Sequence, residues 1–426
     1  MELNVIFSKL DDSQKINTVI QLYRQLKPSH QSIVSSHLAN LAKVDFIKRL
    51  PTEIGYHILM YLDAKSLCKS ARVNKSWKKL SDSEAVWQHL CGQHIYKECN
   101  KCGWCLPSLD NDVGSGWKKF YERRMKIEKN WRLGKFSTKV LHGHTDGITA
   151  LYFCNNYLIS GGWDMSIIVW DLKTGQQLHK LTAHAGCVRG LKFDNDKLIS
   201  VSMDKSWKIW NYKQGTLLRS FDNAHNEGIT CVDFDESLVV TGSNDNAIKV
   251  WNFKTGENVQ LNGHTDWINR VLLFNKKSVI SCSDDNTVRL WDINSHSCLK
   301  MFEHGAQVQG LSIWSPELNN LQDARFPEYI ISGDLEGIIT LWDVVNDTHT
   351  DFFGNKSGIW SICMNKQRII SGTLDGSIKI WNHTGEIKSI FKLHDGDVKA
   401  VQMDEVKIIS GSEDNTIMIC NFDDEI

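Results

Sequence analysis

At 426 residues the chain exceeds one ordinary domain, and its hydrophobic fraction of 41% and charged fraction of 23% are those of a soluble globular protein. No run approaches the ~18 consecutive apolar residues of a membrane span, and Met1–Asp11 lacks the basic start and apolar centre of a secretory leader, so the expected location is cytoplasm and nucleus. The net charge of −1 conceals an asymmetry, because residues 1–135 carry 23 Lys+Arg against 13 Asp+Glu and the remainder 26 against 37. A basic N-terminal part either docks an acidic protein or is merely solvated. No nucleic-acid motif accompanies it, and neither nucleic acid nor membrane is expected as a partner.

In residues 1–44, Ile16, Val19, Ile20 and Tyr23 lie at helical spacing, as do Ile33, Val34, Leu38 and Leu41, with Lys27-Pro28-Ser29 breaking the two runs. The pattern predicts a helical hairpin. Residues 45–92 read as a small helical unit. Leu50-Pro51-Thr-Glu-Ile54 opens a helix with proline in its first turn, and Ile54, Ile58, Leu59 and Leu62 share one face. Asp63-Ala-Lys-Ser66-Leu67 starts a second helix. Ser81-Asp-Ser-Glu84 has the spacing of a capping box ahead of Val86, Trp87 and Leu90.

Those residues resemble an F-box: Leu50-Pro51, Glu53-Ile54, Ile58-Leu59, Tyr61-Leu62-Asp63, Ser66-Leu67, Val73, Trp77 and Trp87 all match its pattern. F-boxes bind a Skp-type adaptor that connects them to a cullin and a ubiquitin-conjugating enzyme. By that resemblance Leu50, Pro51, Ile54, Ile58, Leu59 and Leu62 face the adaptor, while Trp77 and Trp87 either join them or belong to the core. Hairpins like that of residues 1–44 precede the F-box in this family and mediate homodimers. The alternative is that the hairpin only pads the F-box.

Residues 93–134 hold a cysteine-rich loop and a further helix. Cys91, His94, Cys99 and Cys102 have the Cys-x2-His and Cys-x2-Cys spacing of a structural zinc site, with Cys105 a spare ligand. They are otherwise reduced thiols at the edge of the helical unit, and no cofactor is required. Cys154, Cys187, Cys231, Cys282 and Cys363 sit singly in alternating apolar runs and read as reduced strand residues. Gly114-Ser-Gly116 precedes Trp117-Lys-Lys-Phe120-Tyr121, which begins a helix reaching past Trp131.

From Gly143 onward an internal repeat dominates. A His followed ~26 residues later by a Trp recurs as His144/Trp170, His184/Trp210, His225/Trp251, His264/Trp291 and, with an insertion around Trp314–Asp323, His304/Trp342. Asn355/Trp381 and His394/Cys420 are degenerate copies. Six residues before the Trp position stand Asp164, Asp204, Asp245, Asp285, Glu336, Asp375 and Asp414. Four earlier stand Ser160, Ser200, Thr241, Ser281, Ser332, Ser371 and Ser410. Between these points apolar residues alternate with period two and short turns intervene, which predicts a chain of antiparallel strands.

This pattern resembles the WD-repeat family, in which each copy builds a four-stranded blade around a buried His, Ser/Thr, Asp and Trp network. The expected fold is an all-β seven-bladed propeller over residues 135–426, behind an all-α F-box and a helical linker of the kind that holds the two at a fixed distance. Lys135–Leu141 is the expected donor of the strand that closes the seventh blade. His and Asp here are structural, and no phosphate loop, nucleophile–base pair or transfer thiol marks an enzyme.

The architecture is most similar to the fungal sulfur-controller F-box/WD-repeat proteins, through Cys91-Gly-Gln-His94 to Cys99-Asn-Lys-Cys102-Gly-Trp104 and through Gly263-His-Thr-Asp-Trp267-Ile-Asn269. The resemblance implies a non-catalytic target-recognition subunit of an SCF-type ubiquitin ligase whose protein substrate is a bZIP-type activator of sulfur-assimilation genes. The alternative is a WD-repeat scaffold of another assembly with a degenerate F-box. In WD-repeat proteins the top rim of the channel is lined by two positions per blade. One gives Thr149, Arg189, Thr230, Asn269, Gln309, Trp360 and Lys399. The other gives Trp163, Met203, Asn244, Asp284, Leu335, Leu374 and Glu413, with Trp267 and Gln307 close by. Arginines are scarce there and tryptophans crowd it, so substrate is expected to bind through apolar contacts at Trp163, Trp267 and Trp360, oriented by Arg189, with Met203, Asn269, Asp284 and Gln309 around them.

Overall fold

The computed structural model describes residues 11–41, 45–93, 116–253, 255–314 and 326–423. They fall into two compact units, the first holding the described residues up to 93 together with 116–121 and the second those from 122 onward.

The first unit is helical. Helices α1 (Asp12–Arg24) and α2 (Pro28–Leu41) form the expected hairpin, tied where Tyr23 Oη donates to the Gln31 carbonyl and Gln31 Nε2 to the Tyr23 carbonyl, both at 3.1 Å. Short helices α3 (Phe46–Arg49), α4 (Thr52–Met60), α5 (Ala64–Ser70), α6 (Lys75–Ser81) and α7 (Glu84–Gln93) follow. Leu59, Leu67, Val86, Trp87 and Leu90 make their core. Asp63 caps α5 through the Ser66 amide and Asn74 caps α6 through the Trp77 amide. The predicted capping box does not form. Ser81 ends α6 with its hydroxyl 2.7 Å from that of Ser70, and the Glu84 carboxylate accepts from the Trp117 amide at 2.7 Å. Glu84 thus serves the start of helix α8 (Trp117–Leu133) instead of its own.

The second unit is a propeller of seven four-stranded antiparallel sheets. Blades 1 to 6 take consecutive strands, from Ile148–Cys154 in blade 1 to Ile387–Lys392 in blade 6. Blade 7 combines Val398–Met403, Lys407–Ser412 and Thr416–Asn421 with Ser137–His142, which pairs in register from Ser137↔Asn421 to His142↔Thr416. The strand preceding the first repeat thereby closes the last sheet.

The recurring spacings build one buried network per blade. In blade 1, His144 Nδ1 lies 3.0 Å from Asp164, its Nε2 2.8 Å from Ser160 Oγ, and Trp170 Nε1 donates to that hydroxyl at 2.9 Å. Blades 2, 3 and 4 repeat it with His184/Asp204, His225/Asp245 and His264/Asp285. The residue after each turn acid adopts a left-handed backbone, as at Asn246, Asn286, Gly376 and Asn415, and glycine or asparagine fills it at five of the seven turns.

Blade 5 corrects the sequence reading. Glu336 is exposed, and the carboxylate facing His304 is that of buried Asp334, 3.6 Å from Nδ1. Glu336 and the following Gly337 leave the acid one methylene too long for the tight corner, whereas Asp334 ends the strand already inside it. Blade 6 lacks the His, and Asp375 accepts instead from the Thr373 and Ser377 hydroxyls. Blade 7 lacks the Trp. Cys420 shares its core with Trp131 of α8, whose ring stacks on Phe422 at 3.7 Å.

Burial alone would push the turn carboxyls up, but hydrogen bonds from the histidines and from neighbouring hydroxyls and amides outweigh it. Asp164, Asp204 and Asp285 are held well below the usual carboxylate range, and Asp245 falls to about 2. A depressed folded pKa contributes stability that is complete above the unfolded value of about 4 and is lost as pH falls through the folded one. Urea unfolding should therefore show stability dropping steeply below about pH 4. Asp245→Asn should lose about 1–3 kcal/mol at neutral pH and flatten that acid limb. An acid limb unchanged by the substitution would contradict the assignment.

Candidate protein-interaction surfaces

Helix α4 has two faces. Gly55 and Leu59, one turn apart, point inward. A Cβ on Gly55 would stand 3.2 Å from Leu80 Cδ1, so the residue is small because α6 crosses there. Ile54 and Ile58 point outward and are exposed, as are Leu50 and Pro51 at the head of the helix. Leu59 is wholly buried and Leu62 half-buried against the same core, so Leu59 leaves the expected adaptor-facing set: it sits on the opposite side of the helix from Ile54 and Ile58. Tyr61, 89% exposed, and Val73, both part of the F-box pattern, add apolar surface. Trp87 is a core residue with Nε1 donating to the Ser81 carbonyl at 2.8 Å. Trp77 is half-buried, its Nε1 donating to Asp45 at 2.8 Å, and that bond first of all holds the Asp45 carboxyl below its ordinary value.

Of the expected zinc ligands, Cys91 is buried, with its sulfur 3.9 Å from the Trp117 carbonyl oxygen. His94, Cys99, Cys102 and the spare Cys105 lie outside the described residues. Among the described residues no three His, Cys, Asp or Glu side chains are grouped to hold a metal ion.

On the propeller, the residue ahead of each turn acid donates its N–H to the carbonyl of the loop leading into the innermost strand. Trp163 to Gly147, Met203 to Cys187, Asn244 to Gly228, Asp284 to Trp267, Leu335 to Gln307, Leu374 to Gly358 and Glu413 to Asp397 all measure 2.8–3.0 Å. This bond brings one rim side chain per blade to the same face. Most loop positions are small because rim side chains lie over them: a Cβ on Gly228 would meet Met203 Sδ at 2.7 Å. Blade 4 instead places Trp267 there, 51% exposed, and Trp163 of blade 1 is 45% exposed.

The other rim positions converge. Thr149, Arg189, Thr230, Asn269, Gln309, Trp360 and Lys399 all line one cavity, one residue from each blade, and Arg270 lines it with them. Asp284 accepts from Asn269 Nδ2 and Gln309 Nε2, both at 2.7 Å. Gln309 is itself buried, so it positions Asp284 and is not an outward rim contact. Burial pushes the Asp284 carboxyl above its ordinary range in spite of the Asn269 bond. Trp360 is also less free than expected. Its Nε1 donates to Asp397 at 3.1 Å and Lys399 Nζ stands 3.7 Å from its ring centroid, which fixes the indole against the channel wall. The aromatic surface offered outward is mainly that of Trp163 and Trp267.

Comparison with known families finds a match in each of the two units. The family described as F-box-like matches residues 47–93, and the WD domain, G-beta repeat family matches 135–171, 175–211, 215–252, 257–292 and 346–382. The chain carries an F-box-like domain and WD repeats. The repeats outside those five matches are the ones that build blades 5 and 7, where the His–Asp pair is relocated and the Trp is absent. Among its relatives, the "Probable E3 ubiquitin ligase complex SCF subunit sconB" of Arthroderma otae is 36% identical over 35% of this chain and 26% of its own length. Its Talaromyces stipitatus namesake is 33% identical over 35% and 32%. An F-box protein of Saccharomyces cerevisiae is 39% identical over 35% of this chain and 27% of its own. The chain thus matches about a third or less of these relatives' length. Among solved structures, the crystal structure of the computationally designed Ika8 protein is 26% identical with a TM-score of 0.53, covering 66% of this chain and 98% of that one.

The two faces of α4 make separable predictions. In the F-box unit Leu59→Ala should cost about 2–5 kcal/mol by opening a cavity. Ile54→Ala, on the exposed face, should stay within about 0.5 kcal/mol. Comparable losses in denaturant titrations of the two variants would contradict the assignment of Leu59 to the core.

Proposed function

We propose that this chain is the target-recognition subunit of an SCF-type ubiquitin ligase, holding a Skp-type adaptor with its F-box and, through it, a cullin. The observation that carries this reading is the coexistence, in one chain, of an F-box-like unit with an exposed apolar α4 face and a propeller with exposed aromatics on its rim. The chain contributes proximity, not chemistry: a bound target gains a high effective concentration near the transferring enzyme. The names of the relatives support the ligase reading. The likeness to the sulfur-controller type supports a bZIP-type activator of sulfur-assimilation genes as the target, met in cytoplasm or nucleus. The exposed Val19, Ile20 and Ile33 on the hairpin suit a homodimer contact. The same proposal includes a structural zinc on Cys91, His94, Cys99 and Cys102, which metal analysis showing well under one zinc per chain would remove.

Replacing Leu50 and Pro51 by Ala should abolish co-purification of the Skp-type adaptor while the propeller keeps its thermal transition. Retained adaptor would sink the ligase reading. On the rim, Trp163→Ala and Trp267→Ala should each weaken target binding by about 2 kcal/mol, as removal of a hot-spot aromatic does. Phosphatase treatment of the target should leave affinity unchanged. Strict dependence on phosphate, or indifference to both substitutions, would refute apolar recognition at this face.

A further inference from the structure

Blade 4 breaks the sevenfold pattern at one residue, and that residue lies in the channel. Just past the bulge that opens each innermost strand the other blades carry Ala150, Gly190, Cys231, Gly310, Ser361 and Ala400. Packing between neighbouring blades demands small side chains there. A Cβ on Gly190 would come 3.1 Å from the Cys231 Cα, and one on Gly310 3.0 Å from Ile362 Cγ2. In blade 4 the same register position, opposite Cys282, is Arg270. Its side chain lines the same cavity as Arg189 of blade 2.

Neither guanidinium has a hydrogen-bond or ion-pair partner among the described residues. The carboxylates nearby are engaged elsewhere: Asp284 by Asn269 and Gln309, and Asp397 by Trp360 and by Lys399 at 2.8 Å. The hydroxyls of Thr149 and Thr230 donate to backbone carbonyls of their own and the next blade. Burial lowers the proton affinity of Arg270. The Cys231 and Cys282 sulfurs offset this in part, and the charge of Arg189 adds to it. Two like charges in one cavity, with no carboxylate in direct contact and only the longer-range attraction between Asp284 and Arg189, are unfavourable unless something neutralises them.

We propose that the channel mouth binds a free, doubly charged tetrahedral oxyanion, of sulfate or hydrogenphosphate chemistry, between Arg189 and Arg270. Two positive charges balance one dianion, and planar guanidinium forks match its oxygens in a way an ammonium does not. The site lies inside the ring of rim side chains, so it does not require a bound target, and the proposal stands apart from the ligase reading.

The purified full chain, titrated calorimetrically with sodium sulfate and with sodium phosphate at constant ionic strength, should show saturable binding of one ion. Its melting temperature should rise with ion concentration by mass action. Sulfate at high concentration stabilises any protein by exclusion from its surface, so the readout is the difference from variants. Arg270→Ser, which gives blade 4 the side chain of blade 6, and Arg189→Gln should each weaken binding at least about tenfold, a loss of about 1.4 kcal/mol. Arg270→Ser should melt no lower than the parent without ions, since it removes an unpaired charge. A phosphoserine hexapeptide and its unphosphorylated form make the second arm. Saturation by the free ion, lost in either variant, supports the site. Binding of the phosphopeptide alone would mean that the anion arrives on a target and would overturn the proposal, as would no binding or equal binding by all three chains.

Discussion

One hydroxyl per blade organises the propeller. In blade 1 the Trp170 indole can only donate, so Ser160 Oγ accepts from it and must place its own proton elsewhere. His144 Nε2, 2.8 Å away, receives that proton, which leaves the ring's hydrogen on Nδ1, where Asp164 accepts it. The chain of donors closes in one direction only, and every member is buried. Losing any one leaves a stranded polar group, worth about 1–3 kcal/mol. Fixing Asp164 fixes the tight corner around it, and the corner fixes Trp163, whose amide bonds the Gly147 carbonyl. Rim chemistry is therefore a consequence of core hydrogen bonding: a residue is presented on the top face because it precedes an acid locked from below.

The departures show what this constraint tolerates. Blade 5 keeps the hydroxyl, Trp342 and His304 but draws its carboxylate from Asp334. Blade 6 keeps Trp381 on Ser371 at 3.0 Å without a histidine, its Asp375 satisfied by local hydroxyls. Blade 7 keeps His394 between Asp414 and Ser410 and gives up the indole. The volume left by Cys420 is not void, because Trp131 and Phe422 fill the same core cluster, and burial pushes the Cys420 thiol up to about 12. The hydroxyl is the one member present in all seven blades. This suits its position, since it accepts from the indole and donates to the imidazole, joining the two rings.

Periodicity reveals the propeller because the four-point spacing encodes a network that must recur for each blade to bury its polar atoms. Counting five residues on from each histidine position also picks out seven side chains that do line one cavity. What periodicity does not resolve are choices between neighbours. Leu59 and Ile58 are adjacent apolar residues on one helix, and only the crossing of α6 at Gly55 decides which is inside. Glu336 stands at the expected spacing while buried Asp334 is the carboxylate that faces His304, 3.6 Å from Nδ1, a choice that residue count does not make. Arg270 is visible in principle as the one large residue at a position that six other copies keep small. Seeing it requires the bulge in each innermost strand, which shifts the pairing by one residue.

Net charge is a poor guide to the field inside such a ring. Residues 136–426 carry 26 basic and 37 acidic side chains, an excess of acid, yet two arginines reach the channel mouth with no carboxylate in ion-pair contact among the described residues. The acids that could serve are either locked beneath the rim as network members or bound by amides and Lys399. A surplus spread over an exposed surface is screened within about 8–10 Å of salt water. A pair of cations in a low-dielectric cavity is screened far less. Hence the sign of the local potential follows from which acids are already hydrogen-bonded, and an acidic propeller can hold a basic centre.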